Sequence, residues 1–113
     1  MADTKETAPA TPEAPPVAAL PTVLGALQDP VRLEMVRRLS NAGAGIPVRC
    51  NLLYDVINKS TATHHFKILR EAGVIERVYV DGQIWQRLRG ADVESALPGL
   101  LDTIVEAANR AQE

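Results

Sequence analysis

Ser60, Thr61, Thr63, His64 and Lys67 crowd into one short stretch of this 113-residue chain. Hydroxyls bond phosphate oxygens or base edges, and a lysine ammonium neutralises a phosphate. The paired His64-His65 and the single cysteine, Cys50, are the other groups able to do chemistry. A tetrahedral Zn²⁺ site takes about four N, S or O ligands. One Cys and two adjacent His do not supply them without carboxylates or a dimer-bridging arrangement, so no metal and no cofactor are expected. A lone cysteine also excludes an internal disulfide. The acids are scattered without a paired set, and no nucleophile motif or Gly-rich phosphate loop is present. Gly43-x-Gly45 follows a helical pattern instead of a strand, so it is no dinucleotide fingerprint. An enzyme is not expected.

The elements that position these residues are legible in part. Residues 1–16 hold Ala, Pro, Thr and Glu and no large apolar residue after Met1. Such a tail cannot bury enough surface to offset its ordering entropy, and disorder is expected there. A single folded domain is expected over 17–113. Leu20, Val23, Leu24 and Leu27 make a helical stripe, with Pro21 tolerated in the first turn. Asp29-Pro30 reads as an N-cap and first helical position. Val31, Met35, Val36 and Leu39 then face inward, with Arg32, Arg37 and Arg38 on the other side. Asn41, Gly43 and Gly45 end that helix. Leu52, Leu53, Val56 and Ile57 have the spacing of a short helix. Lys59-Ser60-Thr61 offers a hydroxyl cap for a helix from Thr61 to about Ala72, with Ala62, His65, Phe66 and Leu69 inside and Gly73 as its stop.

After Gly73 the period falls from about 3.6 to 2. Residues 74–80 and 83–88 read as two strands around Asp81-Gly82, the strongest short hairpin signal in the chain. Helical spacing returns at Ala91, with a break or restart at Pro98. Two short helices and then a hairpin is the order of a winged helix-turn-helix. The expected fold is mainly α with a small β-hairpin. The first turns of the 61–72 helix would then offer Ser60, Thr61, Thr63, His64, Lys67 and Arg70 to the major groove. The hairpin would set Arg77, Arg87 and Gln83 against the neighbouring backbone or minor groove. Singly, each feature also fits a plain solvated helix face or an ordinary hairpin.

Residues 60–75, STATHHFKILREAGVI, resemble the recognition helix and following strand of ArsR-type bacterial repressors. Residues 26–40, ALQDPVRLEMVRRLS, resemble an earlier helix of that family through Asp29-Pro30-x-Arg32 and the leucine stripe. The resemblance covers roughly residues 20–90. It implies a homodimer through the first and last helices that binds a palindromic operator in double-stranded DNA and represses transcription. It places Thr61, Thr63, His64 and Lys67 on DNA and Phe66, Leu69 and Gly73 at packing positions. The chain departs from the family's metal sensors. Only Cys50 lies where they carry a Cys-x-Cys pair, and residues 91–113 contain no histidine.

Leu97, Leu100, Leu101, Ile104, Val105 and Ala108 are more apolar surface than a small domain covers alone. With Leu20, Val23 and Leu24 they are the expected dimer interface, packing within the chain being the alternative. Cys50 reads as a small buried hydrophobe or, beside Arg49 at a helix start, as a redox-responsive thiol. The second function class is a protein–protein module on the same fold. The formal net charge of −2 is unevenly spread. Residues 17–90 carry ten basic and six acidic side chains, whereas 91–113 carry one and five. The basic balance falls on the segment expected to meet phosphates. No run is long and apolar enough for a membrane span and no signal-peptide pattern opens the chain, so a cytoplasmic protein with an unknown effector is expected.

Overall fold

The computed structural model describes residues 14–112. Helix α1 (Leu20–Leu27) holds Pro21 in its first turn. Asp29 caps α2 (Pro30–Ala42), its carboxylate accepting from the Val31 and Arg32 amides at 2.9 and 3.1 Å. Burial alone would raise that carboxyl. The two amide bonds and the nearby charges of Arg32 and His65 outweigh it and hold Asp29 below its usual range. Gly43, with φ +120°, closes α2 by donating its amide to the Ser40 carbonyl.

The chain then enters a short strand, β1 (Val48–Arg49), and a single 3₁₀ turn (Cys50–Leu52). Neither follows the expected short helix. Of the four apolar residues that suggested one, only Leu53 is fully buried; Val56 is 98% exposed and Leu52 58%. Strand pairing draws Val48 and Arg49 into the sheet and leaves few residues before α3 for a helix. Two anchors hold the segment instead. Leu53 enters the core, and Arg38 bonds both the Leu52 carbonyl (3.2 Å) and the Asp55 carboxylate.

Helix α3 (Lys59–Glu71) follows, then β2 (Ile75–Val80) and β3 (Gln83–Leu88). Asp81 and Gly82 both take positive φ, 51° and 80°, as a two-residue hairpin of mirror-image turn geometry requires. The sheet has three antiparallel strands in the order β1-β3-β2, one more than the expected hairpin. Helix α4 (Gly90–Ala96) and α5 (Leu100–Arg110) are separated by Pro98 and the left-handed Gly99.

Val23, Met35, Val36, Leu39, Leu53, Leu69, Val74, Ile75 and Val93 form the fully buried centre between the helices and the sheet. Helix α5 packs on α2 with Leu101 and Val105 buried in the core, and Asn109 bonds Arg37 and Asn41 of α2. The expected disordered tail is ordered at its end. Ala14–Pro16 sit against the domain, with Arg89 donating to the Pro15 carbonyl and the Ala18 amide donating to the Ala72 carbonyl at 2.9 Å. The rest of the expected tail, residues 1–13, lies outside the described residues.

Candidate nucleic-acid interface

Helix α3 is capped by Asn58, whose side chain accepts from the Thr61 amide at 2.8 Å. Ser60 was the expected cap. Asn caps as well as Ser, and starting two residues earlier places Lys59 and Ser60 in the first turn. At 3.6 residues per turn, Ala62, Phe66 and Leu69 fall on the buried face. Ser60, His64, Lys67 and Glu71 share the opposite face and are all exposed. Thr61 and Thr63, also exposed, flank it. Lys67 makes only a loose contact to Glu71, 3.8 Å, with both side chains well solvated. This face is polar and unobstructed by the other described residues.

His65 is set apart from its neighbour. Its Nδ1 accepts from Arg32 at 3.1 Å and lies 3.8 Å from the Asp29 carboxylate. Arg32 also donates to the Ala26 carbonyl at 2.7 Å. The start of α2 is therefore tied to α3, which fixes the direction in which α3 presents His64.

The two hairpin arginines leave the sheet on opposite sides. Arg77 pairs across with Gln86, and Glu76 with Arg87, so alternation sends Arg77 and Gln86 toward α3 and Arg87 away. Arg87 donates to Glu76 at 2.8 and 3.0 Å. It is a cross-strand ion-pair residue on the sheet face turned away from α3. Arg70 and Arg77 line one cleft with Thr63 and Lys59, and Gln83 sits at its rim beside the hairpin tip. Lys59 was not foreseen as a site residue. Its only sequence signal was the charge beside a cap placed two positions too late.

Cys50 is half-buried, with Sγ 3.5 Å from the Ile84 carbonyl and 3.6 Å from Gln86 Nε2. The Arg49 guanidinium lies 5.4 Å from the Trp85 ring centre. The expected pairing of a thiol with Arg49 and a helix start is absent in kind: a 3₁₀ turn follows, and Arg49 stacks elsewhere. Among the described residues, no three His, Cys, Asp or Glu side chains gather as metal ligands.

Three residues of the expected dimer surface lie inside the protomer. Val23 is fully buried, and Leu101 and Val105 are 5% and 7% exposed, because α2 and its neighbours cover them. Leu20 and Leu24, one helical turn apart, stay exposed on α1. Leu97, Leu100, Ile104 and Ala108 are half-buried.

A three-stranded sheet with its hairpin beside an exposed polar helix is the architecture of a winged helix-turn-helix protein. No protein-family model matches the chain. It is 32% identical over 87 residues to YceK, an uncharacterized HTH-type transcriptional regulator of Bacillus subtilis (strain 168), across 73% of this chain and 82% of YceK. Its fold matches the crystal structure of the transcriptional repressor BigR from Xylella fastidiosa with a TM-score of 0.58. That match runs at 25% identity over 77% of this chain and 83% of BigR. The chain belongs to the HTH-type transcriptional regulators and not to a family of enzymes.

Proposed function

We infer that this protein is a cytoplasmic repressor of the ArsR type that binds a palindromic operator in double-stranded DNA as a homodimer. The observation that carries this reading is the exposed polar face of α3, Ser60, His64 and Lys67 with Thr61 and Thr63 beside it. It begins at a helix N-terminus, where free amides favour phosphate. In this reading α3 enters the major groove. Ser60, Thr61, Thr63 and His64 meet base edges or phosphates, Lys67 neutralises a phosphate, and Gln83 follows the backbone from the hairpin tip. Arg70 and Arg77 stand behind that contact, in the cleft.

The dimer is formed by the exposed Leu20 and Leu24 of α1 and by the half-buried Leu97, Leu100, Ile104 and Ala108 around α5. Leu101 and Val105 act beneath this surface as core. A two-fold dimer sets its two reading helices about 34 Å apart, one turn of B-DNA. The chain uses no resident metal or cofactor in this reading.

The test is a gel shift with the DNA upstream of the protein's own gene. Retardation that survives competitor DNA at moderate salt, and weakens in His64→Ala with an unchanged thermal melt, supports the reading. Equal affinity for the upstream fragment and for unrelated DNA overturns it.

A further inference from the structure

The cleft between α3 and the hairpin has a volume of about 690 Å³, within the range of roughly 300–1,000 Å³ usual for small-molecule sites. One wall is apolar. Phe66 meets the Tyr54 ring edge-on at 6.2 Å between centres, and Ile84 is 42% exposed. The other wall carries two guanidinium groups, Arg70 and Arg77, and no described carboxylate is bonded to either. Arg77 Nε is buried and has no hydrogen-bond partner among the described residues. Burial and the neighbouring Arg77 charge hold Arg70 below its usual range, outweighing the opposing charge of Glu71. A like-charged pair of this kind is unfavourable until an anion joins it.

Gln86 adds a further unmet demand. It is 2% exposed and lines the same cleft. Its Nε2 reaches the Cys50 sulfur, while its Oε1 accepts from no described donor. Buried polar atoms left in this state are rare, and Oε1 calls for a donor.

We propose that this cleft binds a small organic anion, a carboxylate on an apolar body bearing one hydroxyl or amide donor. The carboxylate sits between Arg70 and Arg77, the body lies on Phe66 and Ile84, and the donor meets Gln86. Thr63 and Lys59 belong both to the cleft and to the edge of the exposed α3 face. Occupancy therefore weakens DNA binding, a consequence that rests on the regulator reading given above; the anion site itself does not.

The probe is 4-hydroxyphenylacetate, titrated into the full chain by calorimetry. Its neutral analogue 4-hydroxyphenylethanol, its hydroxyl-free analogue phenylacetate, and inorganic phosphate run alongside. The acid is expected to bind, with the neutral analogue and phosphate each at least tenfold weaker and phenylacetate weaker by several-fold. Arg70→Gln and Arg77→Gln, both checked for an unchanged circular-dichroism melt, are expected to lose at least tenfold in affinity for the acid. No heat from the acid, or equal binding of acid and neutral analogue, overturns the proposal. Inorganic phosphate binding as well as the acid also overturns it, since the cleft would then be a seat for DNA phosphate. If the acid binds while upstream DNA does not, the anion site stands and the regulator reading falls. If DNA binds and the acid does not, the reverse holds.

Discussion

Gly73 ends α3 at φ +81°, and a Cβ there would lie 2.6 Å from both the Pro16 carbonyl oxygen and the Val17 Cα. Two demands meet at one residue: left-handed backbone and close approach of another segment. Gly73→Ala is expected to destabilise by at least about 2 kcal/mol in urea denaturation. Gly82→Ala, at φ +80° with nothing within 4 Å, should lose only about 1 kcal/mol. Equal losses would show that the contact with Pro16 contributes nothing. Glu34 gives a second residue-level outcome. Hydrogen bonds from Arg37, at 2.9 and 2.8 Å, and from Arg38, at 2.7 Å, lower its carboxyl to about 2, against the opposing effect of burial. A carboxyl depressed on folding stabilises above its unfolded value, and that contribution fades as pH falls from about 4.5 toward about 2. Wild type should therefore lose about 1–2 kcal/mol more than Glu34→Gln between about pH 6 and about pH 3, allowing for solvent screening. Identical pH profiles of the two would contradict the pairing. The stop at Gly73 was readable from the sequence. Its second role was not, because Pro16 is distant in the chain and carries no pattern of its own.

At the scale of elements, the capped and strongly periodic pieces were legible and the segment 46–58 was not. Asp29-Pro30 announced α2 and Asp81-Gly82 announced the hairpin, because each fixes backbone geometry within a few residues. Leu52, Leu53, Val56 and Ile57 have helical spacing, yet tertiary contacts overrode it: β1 pairs with β3, and Arg38 ties down Asp55. Arg32, Arg37 and Arg38, read from the sequence only as the outer side of α2, are clamps, each with a partner in another part of the chain. Arg38→Ala should free the 50–57 segment, seen as faster amide exchange at Leu52 and Leu53 than in wild type. Unchanged exchange there would mean that Leu53 alone holds the segment. The α3 cap was misplaced by two residues because Asn58 and Ser60 are both good caps and only geometry chooses. Asn58→Ala is expected to destabilise by about 1 kcal/mol, and Ser60→Ala by much less. A larger loss in Ser60→Ala would reverse that assignment.

For the whole molecule, the charge of −2 hides a division of labour. Of the ten basic residues in 17–90, Arg32, Arg37, Arg38, Arg87 and Arg89 are occupied by internal partners. Arg49, Lys59, Lys67, Arg70 and Arg77 lie on α3 or line its cleft. Only a few of the ten basic side chains are thus free to meet DNA, and a shallow salt dependence follows. Ile104, half-buried at the margin of α5, tests the assembly. Ile104→Asp should turn dimers into monomers by light scattering and lose operator binding with them. A dimeric variant would place the interface elsewhere. The central claim, that the exposed face of α3 reads DNA, is tested most directly by fluorescence anisotropy on the upstream fragment over a salt series. Wild type is expected to bind specifically, Lys67→Ala to bind more weakly, and the log–log salt slope to fall by about 0.9 for each lysine removed. A Lys67→Ala variant with wild-type affinity and an unchanged slope would contradict it.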